Sequence, residues 1–226
     1  MLFLVTDTSG RQGSVALARA GERELEDVQV IEVARLTGGA FSAQLVPQIA
    51  ALLANHQLTK ADIDGFIVVS GPGSFTGLRV GLAAIKALAE ILRKPIVAVS
   101  LLEVLASSGG LPGKVAVVLD AGRGDVYFGE YERTSESVQV VREKLLAKAE
   151  LSSAAHELIV ITPDPALAAI ARGAGVSLCE VDPPSAEMIA RCGWKKLRAG
   201  ETVLPEQLEA NYMRRSDAEM FVRTSS

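Results

Sequence analysis

The sequence predicts a two-lobed α/β protein in which one order of elements, βββαβαβα, occurs twice. In both halves, short β-branched runs bounded by Gly, Pro or Asp alternate with apolar segments of helical length. Each half also opens with an apolar run, an Asp and a Gly-containing hairpin turn, at residues 7–13 and 120–124. The Gly-rich segment 107–113 separates the copies. We therefore expect lobes of residues 1–108 and 109–226, with the second lobe smaller and the C-terminal tail able to pack back on the first.

The individual elements follow from the same pattern. In the first half, strands are expected at residues 2–6, 13–18, 28–33, 66–70 and 96–99. Helices are expected there at residues 41–55, 76–93 and 101–107. In the second half, strands are expected at residues 115–120, 125–131, 138–141, 158–161 and 176–179. Helices are expected there at residues 144–151, 165–173 and 185–199. The second copy is the more weakly marked of the two.

Composition limits the classes of function. The net charge of −4 argues against a protein that binds nucleic acid alone through a broad basic surface. The two cysteines, Cys179 and Cys192, form no CxxC pair, which favours a reduced, cytoplasmic context. Residues 2–6 follow no basic segment and resemble a strand rather than a signal peptide. The longest uncharged run, residues 36–59, is too polar to span a membrane.

A glycine-rich loop, Ser70-Gly71-Pro72-Gly73-Ser74-Phe75-Thr76-Gly77, lies between an apolar strand and a helix. Such a loop can offer backbone N–H groups and a helix N-terminus to an anion. The spacing nevertheless matches neither a P-loop, which needs a Lys before its Ser/Thr, nor the Gly-x-Gly-x-x-Gly dinucleotide motif. Two interpretations remain open: a tight turn with close helix–strand packing, with Ser74 or Thr76 capping the helix, and an anion site.

The segment from Gly71 to Gly81 resembles the signature of the TsaB (YeaZ) family. Several other pieces agree with it in order along the chain: Asp7-Thr8-Ser9, Val99-Ser100-Leu101-Leu102-Glu103, Asp120 with Val126-Tyr127, and Tyr212-Met213-Arg214. One departure is Phe41-Ser42, which stands where the family usually has His-Ser. The resemblance implies the duplicated fold of the actin/Hsp70/sugar-kinase superfamily (ASKHA, RNase H-like).

In that superfamily the two Asp-bearing hairpins contact nucleotide phosphate or its metal. The resemblance therefore implies a set of candidate phosphate- or nucleotide-binding residues, retained here from such an ancestor. They are Asp7, Thr8, Ser9, Gly71, Gly73 and Asp120. The alternative is that both hairpins are tight turns closed by Asp and Gly.

No catalytic or metal-binding constellation is found. The catalytic relative TsaD carries His-x-x-x-His on the helix after the fifth strand, a spacing that places two metal ligands on one face. The equivalent positions here are Leu101 and Leu105, on either side of Glu103. The only histidines, His56 and His156, lie elsewhere, and neither HExxH nor Gly-x-Ser-x-Gly occurs. We expect no catalytic residue, metal or cofactor.

The two long helices of the first half are apolar over most of their circumference, whereas a helix on a sheet needs one apolar stripe. One interpretation is deep burial within the same chain. The other, implied by the resemblance, is a contact with a TsaD-like subunit, or with a second copy when that partner is absent. The predicted interface residues are Phe41, Leu45, Ile49, Leu52, Leu78, Leu82, Ile85 and Ala89.

The resemblance implies a non-catalytic subunit for threonylcarbamoyl transfer to N6 of adenosine 37 in tRNA, acting with a TsaD-like enzyme and a TsaE-like ATPase. Contact with tRNA is expected only within that complex, and the chain alone is expected to form a homodimer. Basic residues near the end of the chain are expected to form a solvated face, with contact to tRNA within the complex as the alternative. They are Lys195, Lys196, Arg198, Arg214, Arg215 and Arg223. The alternatives are an ASKHA-type small-molecule kinase or ATPase and, with no supporting chemistry, an M22-type glycoprotease.

Overall fold

The structure, a computed structural model, describes residues 1–21, 28–108, 110, 112–135 and 137–213. These residues form two compact units. The first holds Met1–Val104 together with Pro184–Asn211, and the second holds Leu105–Pro183 with Tyr212 and Met213. Gly109, at the expected lobe boundary, lies outside the described residues, as do Arg214, Arg215 and Arg223.

The first unit is built on a five-stranded mixed sheet. Its strands are β1 (Leu2–Asp7), β2 (Gln12–Ala20), β3 (Val28–Thr37), β4 (Gly65–Gly71) and β5 (Ile96–Ser100), in the spatial order β3-β2-β1-β4-β5. β1, β2 and β3 pair antiparallel, and β1, β4 and β5 pair parallel. All seven residues of β4 are buried, as expected for a central parallel strand.

Helices cover both faces of this sheet. The helices of the first half are α1 (Phe41–Asn55), α2 (Phe75–Leu92) and the short α3 (Leu101–Ala106). α1 and α2 share one apolar core with residues such as Leu4, Leu17 and Phe66. The opposite core contains Trp194, whose ring centroid lies 5.6 Å from that of Phe3.

The second unit repeats the sheet. Its strands are β6 (Gly113–Gly122), β7 (Asp125–Arg133), β8 (Val138–Ala147), β9 (Ile159–Thr162) and β10 (Leu178–Glu180), in the order β10-β9-β6-β7-β8. Its helices are α4 (Leu151–Ala154) and α5 (Pro165–Gly173), whereas the next helix along the chain, α6 (Ala186–Arg198), belongs to the first unit. The position of β6 between β7 and β9 matches that of β1 between β2 and β4, so the predicted duplicated α/β fold is confirmed.

The structure differs from the predicted elements at two places. The helix expected at residues 144–151 is wrong, because residues 144–147 extend β8 and pair with β7, for example Lys144 opposite Phe128. Sheet pairing here overrides a helix-favouring composition. α6, expected as the last helix of the second copy, instead packs on the first sheet through residues such as Ile189 and Trp194.

Candidate functional site

The glycine-rich loop between β4 and α2 is covered by the turn that joins β1 to β2. The Ser9 carbonyl oxygen accepts a hydrogen bond from the Ser74 N–H at 2.6 Å. The Ser74 side chain in turn accepts from the Gly77 N–H at 3.3 Å and caps α2, as one of the two predicted capping residues. The turn and the helix start are thus held together by backbone and cap hydrogen bonds.

Three glycines spaced four residues apart make this contact sterically possible. A Cβ atom on Gly73 would lie 2.3 Å from the Ser9 carbonyl oxygen, and one on Gly77 would lie 2.1 Å from the Thr8 carbonyl oxygen. A Cβ on Gly81 would lie 2.2 Å from the Thr8 hydroxyl oxygen. Close packing therefore accounts for the glycines, while the retained phosphate-binding role stays a prediction.

Asp7 ends β1 and stabilises the same turn. Its Oδ1 accepts hydrogen bonds from the Ser9 N–H at 2.9 Å and from the Ser9 hydroxyl at 2.6 Å. Burial raises the pKa of Asp7, and the two hydrogen bonds from Ser9 offset only part of that effect. Thr8 and Ser9 are themselves buried. The three predicted residues of the first hairpin therefore lie together, engaged with one another and with α2.

Asp120 occupies the corresponding hairpin of the second unit. Its Oδ1 lies 2.7 Å from the Lys148 ammonium nitrogen and 3.3 Å from the Gly122 N–H that donates to it. The Lys148 N–H donates to the Gly124 carbonyl oxygen at 2.8 Å, so the lysine is anchored to the hairpin by its backbone as well. The hydrogen bond that the Lys148 ammonium donates to Asp120 raises the pKa of Lys148. The sequence did not indicate this pairing.

α3 carries the positions at which TsaD has histidines. Leu101 is half-buried and Leu105 is buried, and their side chains offer no atom that can bind a metal. Between them, Glu103 forms an ion pair with Lys196 of α6, with distances of 3.0 and 3.1 Å to its two carboxylate oxygens. Among the described residues, no group of three or more His, Cys, Asp or Glu side chains is placed to hold a metal ion.

Lys196 is also 3.1 Å from Glu201. Burial acts to lower the pKa of Lys196, but the carboxylates of Glu103 and Glu201 together outweigh it, so the pKa is raised. The Arg198 guanidinium lies 5.6 Å from the centroid of the Trp194 ring. Lys195 is exposed. Lys196 and Arg198 thus have intramolecular partners.

The eight residues predicted to form a partner interface lie inside the first unit. Their exposed fractions lie between 0% and 6%. Seven of them belong to the core that α1 and α2 form with the sheet: Phe41, Leu45, Ile49, Leu52, Leu82, Ile85 and Ala89. Leu78 is fully buried as well. The apolar stripes at helical spacing face the sheet, because that face buries the larger side chains.

Other residues of α1 and α2 face outward. On α1 the polar Ser42 and Asn55 are exposed, and the exposed small or aliphatic residues are Ala43, Val46, Pro47, Ala50, Ala51 and Ala54. On α2 they include Ala83, Ala87 and Ile91. Val46 is 60% exposed and Ile91 is 71% exposed, the two highest values among the large apolar side chains of the described residues. We call this set of nine small or aliphatic residues the outer helix face.

Phe41, the two histidines and the two cysteines were also considered in the sequence, and each has a defined environment in the structure. The Phe41 ring fills the space beside Gly13 and Gly77, about where Cβ atoms on those glycines would clash. His56 Nε2 lies 2.7 Å from Glu32, and His156 is exposed. Cys192 is buried in the core and Cys179 is half-buried. In the part of the chain that the structure describes, no helix combines the length and apolar content needed to cross a membrane.

The chain is similar in sequence to one family model and to several known proteins. Residues 33–188 match the family model described as "TsaD: tRNA N6-adenosine threonylcarbamoyltransferase". The chain is 36% identical over 133 residues to the tRNA threonylcarbamoyladenosine biosynthesis protein TsaB of Bacillus subtilis, covering 58% of this chain and 56% of that protein. It is 26% identical over 230 residues to TsaB of Escherichia coli, covering 96% of each.

A solved structure from Pseudomonas aeruginosa, described as an uncharacterized protein with similarity to peptidase YEAZ, has the same fold. Its TM-score is 0.70 at 25% identity, covering 94% of this chain and 99% of that one. The fold and the glycine loop, with the matched model, therefore place the chain in the TsaD-type family. More particularly, the chain belongs to the TsaB (YeaZ) family, whose members include the named relatives from B. subtilis and E. coli.

Proposed function

We propose that this protein is an accessory subunit in tRNA threonylcarbamoyladenosine biosynthesis, which binds and activates a TsaD-like catalytic subunit together with a TsaE-like ATPase. The name of the E. coli relative, which this chain matches over 96% of both lengths, supports the pathway. The leucines at 101 and 105 support a non-catalytic role, because the chain places no imidazole where the catalytic relative has two.

The outer helix face is the observation that carries the partner-binding part of the proposal. It comprises exposed residues of two helices that contact each other, and most of its side chains are alanines, together with the exposed Val46 and Ile91. Small residues let the backbone of another helix approach closely, and covering an exposed aliphatic patch with a partner lowers the free energy by removing apolar surface from water. Arg79 and Glu90 lie exposed on α2 and supply polar surroundings.

The partner that covers this face is a TsaD-like subunit, a protein of the same fold family as this chain. In its absence, a second copy of the chain covers the same surface, so the homodimer and the heterodimer compete. tRNA is contacted only after assembly, since the chain has a net charge of −4.

The test is mass measurement in solution, by light scattering, of the full chain alone and mixed with the TsaD-like protein of the same organism. We expect a homodimer that converts to a heterodimer. Val46→Asp and Ile91→Asp should each weaken binding of the partner by about tenfold or more, because a buried charge replaces an apolar contact.

Val141→Asp is the matched control, since Val141 is an aliphatic residue 52% exposed on β8 of the second unit. It should bind as the wild type does. Equal binding by all three variants would overturn the outer helix face as the docking site. Unchanged tRNA modification in a strain lacking the gene would overturn the pathway itself.

The alternative of a small-molecule kinase or ATPase is motivated by Asp7 and Asp120. Both carboxylates have partners in the chain: Ser9 for Asp7, and Lys148 for Asp120. Turnover of ATP by the purified chain, lost in Asp7→Ala, would favour this alternative over the accessory role.

A further inference from the structure

The residues that follow α6 cross the first unit and end at the glycine-rich loop. Val203 pairs with Ile96 in an isolated antiparallel bridge, and its N–H donates to the Ile96 carbonyl oxygen at 2.9 Å. β5 is the last strand of its sheet, so this bridge covers part of a free edge. We call residues 202–211 the strap.

The strap is anchored at two further points. Leu208, which is 1% exposed, inserts into the core that α1 and α2 share with the sheet. At the end of the strap, the Asn211 N–H donates to the Ser70 carbonyl oxygen at 2.7 Å. A Cβ on Gly71 would lie 2.9 Å from the Asn211 carbonyl oxygen, and Gly71 has a φ of +136°, a conformation that favours glycine.

The loop that begins α2 is therefore held by two segments distant in the sequence. Ser9 of the β1–β2 turn accepts a hydrogen bond from Ser74, after the two loop glycines, and Asn211 of the strap donates to Ser70, before them. We propose that the strap is a built-in clamp that fixes the glycine-rich loop, and with it the start of α2. Release of the strap frees the loop without unfolding the sheet.

The clamp also has a consequence that rests on the proposed function. α2 supplies Ala83, Ala87 and Ile91 to the outer helix face, so its position sets the shape of that face. Residues 205–207 of the strap contact α2. The residue before them, Leu204, is an exposed aliphatic residue. A partner that binds the outer helix face therefore binds best when the strap is docked.

Hydrogen exchange of the full-length chain, followed by mass spectrometry, tests the clamp without a partner. Asn211→Pro removes the backbone N–H that donates to the Ser70 carbonyl oxygen, whereas Asn211→Ala keeps that N–H. We expect Asn211→Pro to speed exchange in a peptide covering residues 70–78 by about fivefold or more, as for loss of one local hydrogen bond. Asn211→Ala should leave that peptide closer to the wild type.

Leu208→Ala supplies a second route, because it loosens the strap while leaving every backbone N–H in place. It too should speed exchange in residues 70–78, with residues 115–119 of the second unit unchanged. Exchange at wild-type rates in both Asn211→Pro and Leu208→Ala would overturn the clamp. So would equal acceleration in residues 70–78 and 2–6, since general destabilisation of the first unit would then be the cause.

The partner measurement separates this inference from the proposed function. If the clamp and the accessory role both hold, Asn211→Pro lowers affinity for the TsaD-like subunit, and Asn211→Ala does so less. Faster loop exchange with unchanged affinity would confirm the clamp and overturn its coupling to docking. Absence of any wild-type complex would count against the proposed function and leave the exchange result standing.

Discussion

The Ser9 carbonyl oxygen and the Ser74 backbone N–H are 2.6 Å apart, which joins the first hairpin turn to the start of α2. Loops of this kind, between a strand and a helix, often face a bound phosphate. Here a neighbouring turn of the same chain lies against the loop, and the glycines of α2 provide the space for it. We therefore expect substitutions where the hairpin turn packs on α2 to change the stability of the first unit.

Gly77→Ala should destabilise the first unit by about 1 to 3 kcal/mol, as measured by urea unfolding. The added methyl group would lie 2.1 Å from the Thr8 carbonyl oxygen, a backbone atom that cannot move without displacing β1. Gly173→Ala is the control, because nothing lies within 4 Å of that position at the end of α5. It should be neutral or stabilising, by about 0.5 to 1 kcal/mol. Equal effects of the two changes would show that packing on the turn does not require Gly77.

Asp7→Asn should leave the protein as stable as the wild type at pH 7, or more stable. Burial raises the pKa of Asp7, so the ionised carboxylate is disfavoured in the folded state at neutral pH. As the pH falls through the folded-state pKa toward the unfolded value of about 3.9, the wild type gains protons and relative stability. The advantage of Asn should therefore shrink in acid. A large loss of stability at pH 7 would mean that the negative charge itself is needed there.

Asp62→Asn should behave in the opposite way. Hydrogen bonds from the Thr59 N–H at 2.7 Å and the Thr59 hydroxyl at 2.8 Å lower the pKa of Asp62. Such a group stabilises the folded state above the unfolded pKa of about 3.9, and that contribution is lost as pH falls through the lower folded value. Urea unfolding should show a less stable variant at pH 7 and a smaller difference near pH 3. A difference independent of pH would contradict the assignment.

Much of the fold could be predicted from local pattern. α1 and α5 were predicted with the bounds that the structure has. The start of α5 is marked by Asp164, which caps it ahead of Pro165, whereas α1 begins at Phe41 without a side-chain cap. The continuation of β8 past Val141 was missed. Lys144 and Leu145 favour a helix locally, and only their pairing with β7 makes them part of a strand. The packing of α6 on the first sheet depends on contacts far apart in sequence, which local pattern does not contain.

The site was harder to predict for a related reason. Periodicity showed that α1 and α2 are apolar nearly all round, but it did not show which stripe faces the sheet. The structure turns the larger side chains inward and leaves alanines, Val46 and Ile91 outside. The alternation of alanines with the leucine stripe was the available signal. The pairings of Asp120 with Lys148 and of Glu103 with Lys196 had no sequence signal, because they join separate elements.

Leu45→Ala and Val46→Ala should separate core from surface on one helix. Leu45 is 1% exposed and belongs to the core, so its truncation should cost about 2 to 5 kcal/mol in the free energy of unfolding. Val46 points outward, and its truncation should change stability by less than about 0.5 kcal/mol. Urea unfolding of the two variants provides the comparison. A destabilised Val46→Ala with an unaffected Leu45→Ala would mean that the helix is turned about its axis.

Lys196→Met and Glu103→Gln, singly and together, should reveal a coupled ion pair that joins α6 to α3. The two side chains are 20% and 16% exposed, between a surface pair and a fully buried one. We therefore expect a coupling energy of about 1 to 3 kcal/mol from the double-mutant cycle. Lys195→Met, on the exposed neighbouring position, should cost far less.

The same cycle should depend on pH in one direction. Because the pKa of Lys196 is raised, its contribution is fully present below the unfolded value of about 10.5 and is lost as pH rises through the folded value. The coupling energy measured at pH 8 should therefore decline at pH values above the folded pKa, whereas the small effect of Lys195→Met should not follow that trend. A coupling near zero at pH 8 would show that other contacts, such as the packing of Trp194 on Phe3, hold α6 in place without the ion pair.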